Sequence, residues 1–175
     1  MLKYEVRMSS DLYESMLADL RRPHEHAFER VGFAFGRRCR LSDSSSIIYL
    51  HRYQSVDDDR YIRTNEFGAL IDDEAILAIQ QEVRRLRSGF GGAFHVHLHD
   101  LPGTPNLSGA DMVGIPPVAR CLQRMDPDGA SGLVLLSSDK ACAQLWESRD
   151  SEGRECDLVS VIGVPLNVYV RRRSS

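Results

Sequence analysis

HVHLHDLPGTPNLSGAD, residues 95–111, places His95, His97 and His99 at alternate positions, follows them with a Gly/Pro loop, and ends on Ser108-Gly-Ala-Asp111. Val96 and Leu98 between the histidines mark the first part as a strand, in which residues two apart point to the same face. Two strand rises separate the Cα atoms of His97 and His99 by about 7 Å, a span across which two imidazoles can share one ion. Asp111 would add an oxygen ligand from the far side of the loop. Three protein ligands and a water describe an open metal site of the catalytic type rather than a closed structural one. Ser108 and Asp111 also have the spacing of a capping box, with serine at the helix start and an acid three residues on. Capping alone leaves three histidines in five residues unexplained, so a metal site at His97, His99 and Asp111 is the expectation.

Outward from this stretch, strands and helices alternate. KYEVRMS reads as a first strand, and Ser10 or Asp11 offers a cap for a helix that Pro23 stops. The run HEHAFERVGFAFGRR, with Gly32 and Gly36, looks more like a strand than a helix. SSIIYLHRYQSV is a strand, and the acidic residues 57–59 a solvated turn. A helix is expected from about Asp72 to Arg87, acidic at its start and basic at its end, as the helix dipole favours. Beyond the histidines, SGADMVGI opens a helix that Pro116 and Pro117 should bend or interrupt. GLVLLSS is an apolar strand of the buried type, and the remainder of the chain is mainly strands. The alternation predicts one α/β domain, residues 1–175, with helices packed on a sheet.

Composition narrows the function classes. The 175 residues are 42% hydrophobic and 27% charged, with a net charge of -3. That balance is globular, and it gives no general reason to bind nucleic acid or an anionic membrane. Arg171, Arg172 and Arg173 read as a solvated tail. No apolar run approaches the roughly 20 residues that span a bilayer, and MLKYEVRMSSD lacks the apolar core of a signal peptide. Four scattered cysteines form no C-x-x-C pair. A reducing, cytoplasmic setting is therefore expected, with neither a disulfide framework nor a zinc knuckle. The glycines of SGFGG lack the G-K-[ST] of a phosphate loop.

H-x-H, a loop, then S-x-x-D resembles the metal-binding signature of the JAB/MPN (JAMM) metalloproteases. That family's pattern begins upstream with a glutamate in a context like E-x-x-G-x-x-x-G, and this chain has Glu29-Arg-Val-Gly32-Phe-Ala-Phe-Gly36. The two motifs stand in the right order, and the resemblance spans about residues 10–147. Asp100 replaces the proline that commonly follows the second histidine, and the loop to the aspartate is one residue longer. His95 opens a second register, His95 with His97, which keeps the usual distance from Gly92 but lengthens the loop further. His97 with His99 keeps the S-x-x-D spacing nearly normal and is preferred, leaving His95 to line the site or pack beneath it.

The resemblance implies a single JAB/MPN-like domain, a mixed curved sheet packed with helices in a cytidine-deaminase-like architecture. It implies zinc at His97, His99 and Asp111, with Glu29 as the general base that takes a proton from the zinc-bound water. Ser108 would hold the oxyanion. The activity implied is cleavage of an isopeptide or peptide bond after the C-terminus of a ubiquitin-like protein. The compact chain looks like the short prokaryotic members that accompany E1-like and E2-like enzymes in bacterial conjugation systems, some linked to phage defence. The tail of the partner would lie along a strand edge. Other readings are a zinc amidase for a small molecule and a non-catalytic MPN-type scaffold, although such scaffolds lack the metal residues. A zinc deaminase would need P-C-x-x-C, which is absent. The sequence leaves open whether an insertion such as residues 54–68 gates the site, and Glu25 is the other acid to consider as base.

Overall fold

The histidine strand lies at the centre of the molecule, and its neighbours explain how distant parts of the chain meet. The computed structural model describes residues 4–23, 25, 27, 29–42, 45–63, 68–86, 91–126, 129–147 and 152–171. The elements run β1 (Tyr4–Ser9), α1 (Ser10–Leu20), β2 (Val31–Ser42), β3 (Ser45–Ser55), a 3-10 turn (Asp58–Arg60), β4 (Tyr61–Ile62) and β5 (Leu70–Ile71). They continue with α2 (Asp73–Arg85), β6 (Gly92–Leu98), α3 (Gly109–Met125), β7 (Ala130–Leu136), β8 (Ala141–Trp146), β9 (Arg154–Glu155), β10 (Leu158–Ile162) and β11 (Asn167–Val170).

Nine strands form one mixed sheet in the order β11-β10-β1-β3-β2-β6-β7-β8-β9, and β4 pairs with β5 in a separate ribbon. β6 is antiparallel to β2 and parallel to β7. Only Cys156 and Asp157 separate β9, at one end of this order, from β10 near the other. Three Cα steps reach about 11 Å, so the sheet must curl until its ends nearly meet. The bridging residues close that curl: the Cys156 N–H donates to the Ala143 carbonyl at 2.8 Å, and the Asp157 N–H to the Tyr4 carbonyl at 2.9 Å. The chain is a mixed α/β fold with a curled mixed sheet and, among the described residues, three helices. None of those helices is long and apolar enough to cross a membrane.

Alternation sorts the core into two faces. Met8, Ile48, Leu50, Phe94, Val96 and Val134 face α1, which buries Tyr13, Met16 and Leu20 against them. Val31, Phe33 and Phe35 face α2, while Leu133, Leu135 and Trp146 face α3. Every residue of β6 and β7 is buried, which is why both read as apolar runs apart from the histidines and Ser131. Each buried phenylalanine contributes about 1.5–3 kcal/mol.

Local chemistry explains where the helices begin. α1 is capped by Ser9, one residue before the expected cap, whose hydroxyl accepts from the Leu12 N–H at 3.2 Å. α2 is capped by Asp72, accepting from the Ala75 N–H at 2.8 Å, and ends at Arg85, with residue 87 outside the described residues. Pro116 and Pro117 do not interrupt α3, contrary to expectation. They deprive the carbonyls of Met112 and Val113 of their donors, but those residues lie on the exposed side, where water can replace the lost bonds. Of the run HEHAFERVGFAFGRR, β2 takes in the part from Val31 on, and the described residues Glu25, Ala27, Glu29 and Arg30 lie outside it. The acidic turn is exposed at Asp57, Asp58 and Asp59, as expected, and Asp58 also pairs with buried Arg30.

Candidate metal centre

β6 ends at Leu98, but the His99 N–H still donates to the Leu136 carbonyl at 2.9 Å, so the ladder carries on for one more bond. The imidazoles consequently stack along one edge of the same face, with centroids 5.3 Å apart from His95 to His97 and 5.0 Å from His97 to His99. On the neighbouring strand Val31 stands opposite His97, and in the antiparallel register Glu29 falls level with His99. Glu29, His97 and His99 each offer a ligand atom, and these atoms lie within 4.8 Å of one another. That group could hold a metal ion.

Asp111 approaches from the first turn of α3. Its Oδ1 lies 3.2 Å from His97 Nε2, and its Oδ2 lies 3.5 Å from His99 Nε2. The same carboxylate accepts from the Ser108 N–H at 2.7 Å, while the Ser108 hydroxyl accepts from the Asp111 N–H at 3.2 Å. The capping box is therefore real, and it is the device that aims Asp111 at the histidines. Burial pushes the Asp111 pKa up, but contact with His97 and bonds from Ser108 outweigh it and hold the carboxyl well below its usual range.

The donor set fits a small divalent ion. His97 is 2% exposed, yet neither of its ring nitrogens makes an aligned hydrogen bond to a described residue. An unsatisfied buried nitrogen costs about 1–3 kcal/mol, and such groups are rare without a function. Ligand bonds of about 2.0–2.1 Å in a tetrahedron space neighbouring donors about 3.3–3.4 Å apart. The two contacts of Asp111, 3.2 and 3.5 Å, match that spacing.

His95 sits one step deeper, edge-on to Phe33 with centroids 5.5 Å apart. Burial, helped by neighbouring His97, pushes its imidazole down to about 3, so it is neutral near pH 7. The structure brings His97 and His99, not His95, against Asp111. Glu25 is exposed, 4.0 Å from Arg63.

The glycines after Glu29 have packing roles. A Cβ on Gly32 would overlap the Tyr53 ring, which is held over the strand by a 2.6 Å hydrogen bond from its hydroxyl to Asp19 of α1. A Cβ on Gly36 would overlap the Tyr49 carbonyl, beside the irregularity between Phe35 and Gly36. Sequence reasoning missed Asp58 and Tyr61, which grip Arg30 and Val31, the two residues after Glu29. Nothing in their local pattern signals this.

An open groove of about 470 Å³ leads away from Asp111, lined by residues that include Leu107, Ile115, Arg120 and Trp146. Comparison of the whole chain with protein-family models and with curated proteins finds no match to either.

Proposed function

We propose that the chain is a zinc-dependent peptidase or isopeptidase of the JAB/MPN type, cutting after the C-terminus of a ubiquitin-like protein. The observation that carries this reading is the convergence of Glu29 just before β2, His97 and His99 at the end of β6, and Asp111 in α3, segments far apart in the chain. Two imidazoles and a carboxylate suit zinc, and Glu29 is the remaining acid beside them.

Zinc in such a site supplies Lewis acidity, which lowers the pKa of a bound water and polarises a carbonyl. Glu29 takes the proton of the attacking water and delivers it to the leaving amine. Asp111 and the two histidines keep their geometry because the capping box and the β6 ladder hold them. Ser108, at the helix start beside Asp111, is the group assigned to the oxyanion.

Two features suit an extended peptide as substrate. The groove leaving Asp111 gives room for residues flanking the cut bond. The β4–β5 ribbon exposes Ile62 and Leu70, and Gly68 of the same segment lies against the Glu29 carboxylate, offering a strand edge beside the base. E1-like and E2-like enzymes would be partners in the same reading. The test is zinc analysis of the purified protein combined with cleavage of ubiquitin-like fusions, with and without a chelator. Zinc-dependent cleavage after the ubiquitin-like C-terminus supports the reading. A chain that takes up no metal overturns it.

A further inference from the structure

We propose that Tyr61 and Asp58 are positioning residues that hold Glu29 at the metal centre, an inference that rests on the reading of Glu29 given above. Glu29 lies outside any strand, in the stretch joining α1 to β2. The backbone that carries it is therefore set by what grips the residues beside it.

Both following residues are gripped from the 58–61 segment. β3 pairs with β2 only as far as Gly32 opposite Ser55, which leaves Val31 with no β3 partner. The Tyr61 hydroxyl stands in for the missing strand: it accepts from the Val31 N–H and donates to the Val31 carbonyl, both at 3.0 Å. Tyr61 is 6% exposed, and burial keeps the phenol protonated, as both bonds require. Arg30 is 2% exposed, and its Nη2 lies 2.6 Å from Asp58 Oδ1. Its Nε donates to the Arg22 carbonyl at 2.6 Å, tying the same guanidinium to the end of α1. A third contact comes from Gly68, where a Cβ would stand 3.4 Å from Glu29 Oε1. Val31 in turn is opposite His97, so the phenol fixes the backbone that sets the distance from Glu29 to the histidines.

Cobalt(II) alone is a sufficient probe, read by its visible absorption against a competing chelator. Removing the Glu29 charge close to the ion should weaken cobalt binding roughly 10-fold in Glu29→Gln. Tyr61→Phe keeps the ring and should weaken binding by about 3- to 10-fold if it acts by placing that charge. Asp58→Asn should act in the same direction and serves if Tyr61→Phe folds poorly. In the Glu29→Gln background neither substitution should weaken binding further, because the group they position is gone. The inference is overturned if Tyr61→Phe and Asp58→Asn leave cobalt affinity unchanged, or weaken it equally in both backgrounds. A wild-type chain that binds no cobalt overturns the metal-centre reading and this inference with it. Weakening by Glu29→Gln alone overturns only the inference.

Discussion

Val31 lies directly opposite His97 across the antiparallel β2–β6 ladder, and that one register places Glu29 beside His99 although 68 positions separate Glu29 from His97. The candidate metal centre is thus a property of strand pairing rather than of any single loop. A one-residue slip of β2 against β6 would turn Val31, Phe33 and Phe35 out of the α2 core, so the core that builds the fold also enforces the site.

The ligand set predicts unequal effects of histidine substitutions. The chain should bind one zinc ion, measured by elemental analysis and competition titration. His97→Ala, His99→Ala and Asp111→Ala should each weaken binding by more than the 10- to 100-fold that outer-shell partners typically command. His95→Phe should keep zinc stoichiometry, because His95 packs on Phe33 below the site. Loss of zinc in His95→Phe, with His99→Ala unaffected, would move the register to His95 and His97.

How much of this was legible in the sequence follows from which contacts are local. The period-two spacing of the histidines and the three-residue spacing of Ser108 and Asp111 are local geometry, and both appear in β6 and α3. Period two puts all three histidines on one face, so it could not decide which pair meets Asp111. That depends on where α3 crosses the sheet. The prolines misled because a helix tolerates lost bonds where its carbonyls face water. Tyr61, Asp58 and Arg30 were invisible because their bonds join segments with no shared pattern. The curl of the sheet was expected from the family resemblance alone, because it depends on the Cys156–Asp157 bridge between distant edges, which no local pattern signals.

Ser108 has a structural role that can be separated from a chemical one. Loss of the cap in Ser108→Ala should cost about 1 kcal/mol, a fall of about 2–4 °C in melting temperature for a chain of this size. If the hydroxyl also holds the oxyanion, single-turnover cleavage should fall by roughly 100-fold or more. A normal rate with the lowered melting temperature would leave Ser108 as a cap that aims Asp111 and nothing more.

Gly32 should be intolerant of a side chain for a reason that has nothing to do with chemistry. The added methyl in Gly32→Ala meets the Tyr53 ring, and overpacking of this kind costs about 1–3 kcal/mol. Truncating the obstacle in the double variant Gly32→Ala/Tyr53→Ala should cost less than the sum of the two single changes, as denaturant unfolding would show. Strict additivity would mean that the two residues do not compete for the same space.

Zinc should stabilise the fold without being required for it. The cores on both faces of the sheet are built from apolar residues, none of them a candidate ligand, so the metal-free chain should remain folded. Binding to the native state alone adds about 2.7 kcal/mol when free zinc stands at a hundred times its dissociation constant. The melting temperature should rise with zinc and return to the metal-free value on chelation. Complete unfolding by a chelator would mark the site as structural.

The last expectation separates binding from turnover at Glu29. The carboxylate stands beside two histidines that Asp111 also contacts, so with Asp111 as the third ligand zinc should remain stoichiometric in Glu29→Gln even with reduced affinity. Glutamine keeps the size of the side chain and its ability to hydrogen-bond but cannot accept the proton of the attacking water. Cleavage of a ubiquitin-like fusion should therefore fall by roughly 100-fold or more, while binding of the fusion persists. A zinc-loaded variant that holds its substrate uncut would serve as a trap, and mass spectrometry of what it captures would name the ubiquitin-like partner. Full activity in Glu29→Gln would assign the base elsewhere, and exposed Glu25 would be the next acid to test.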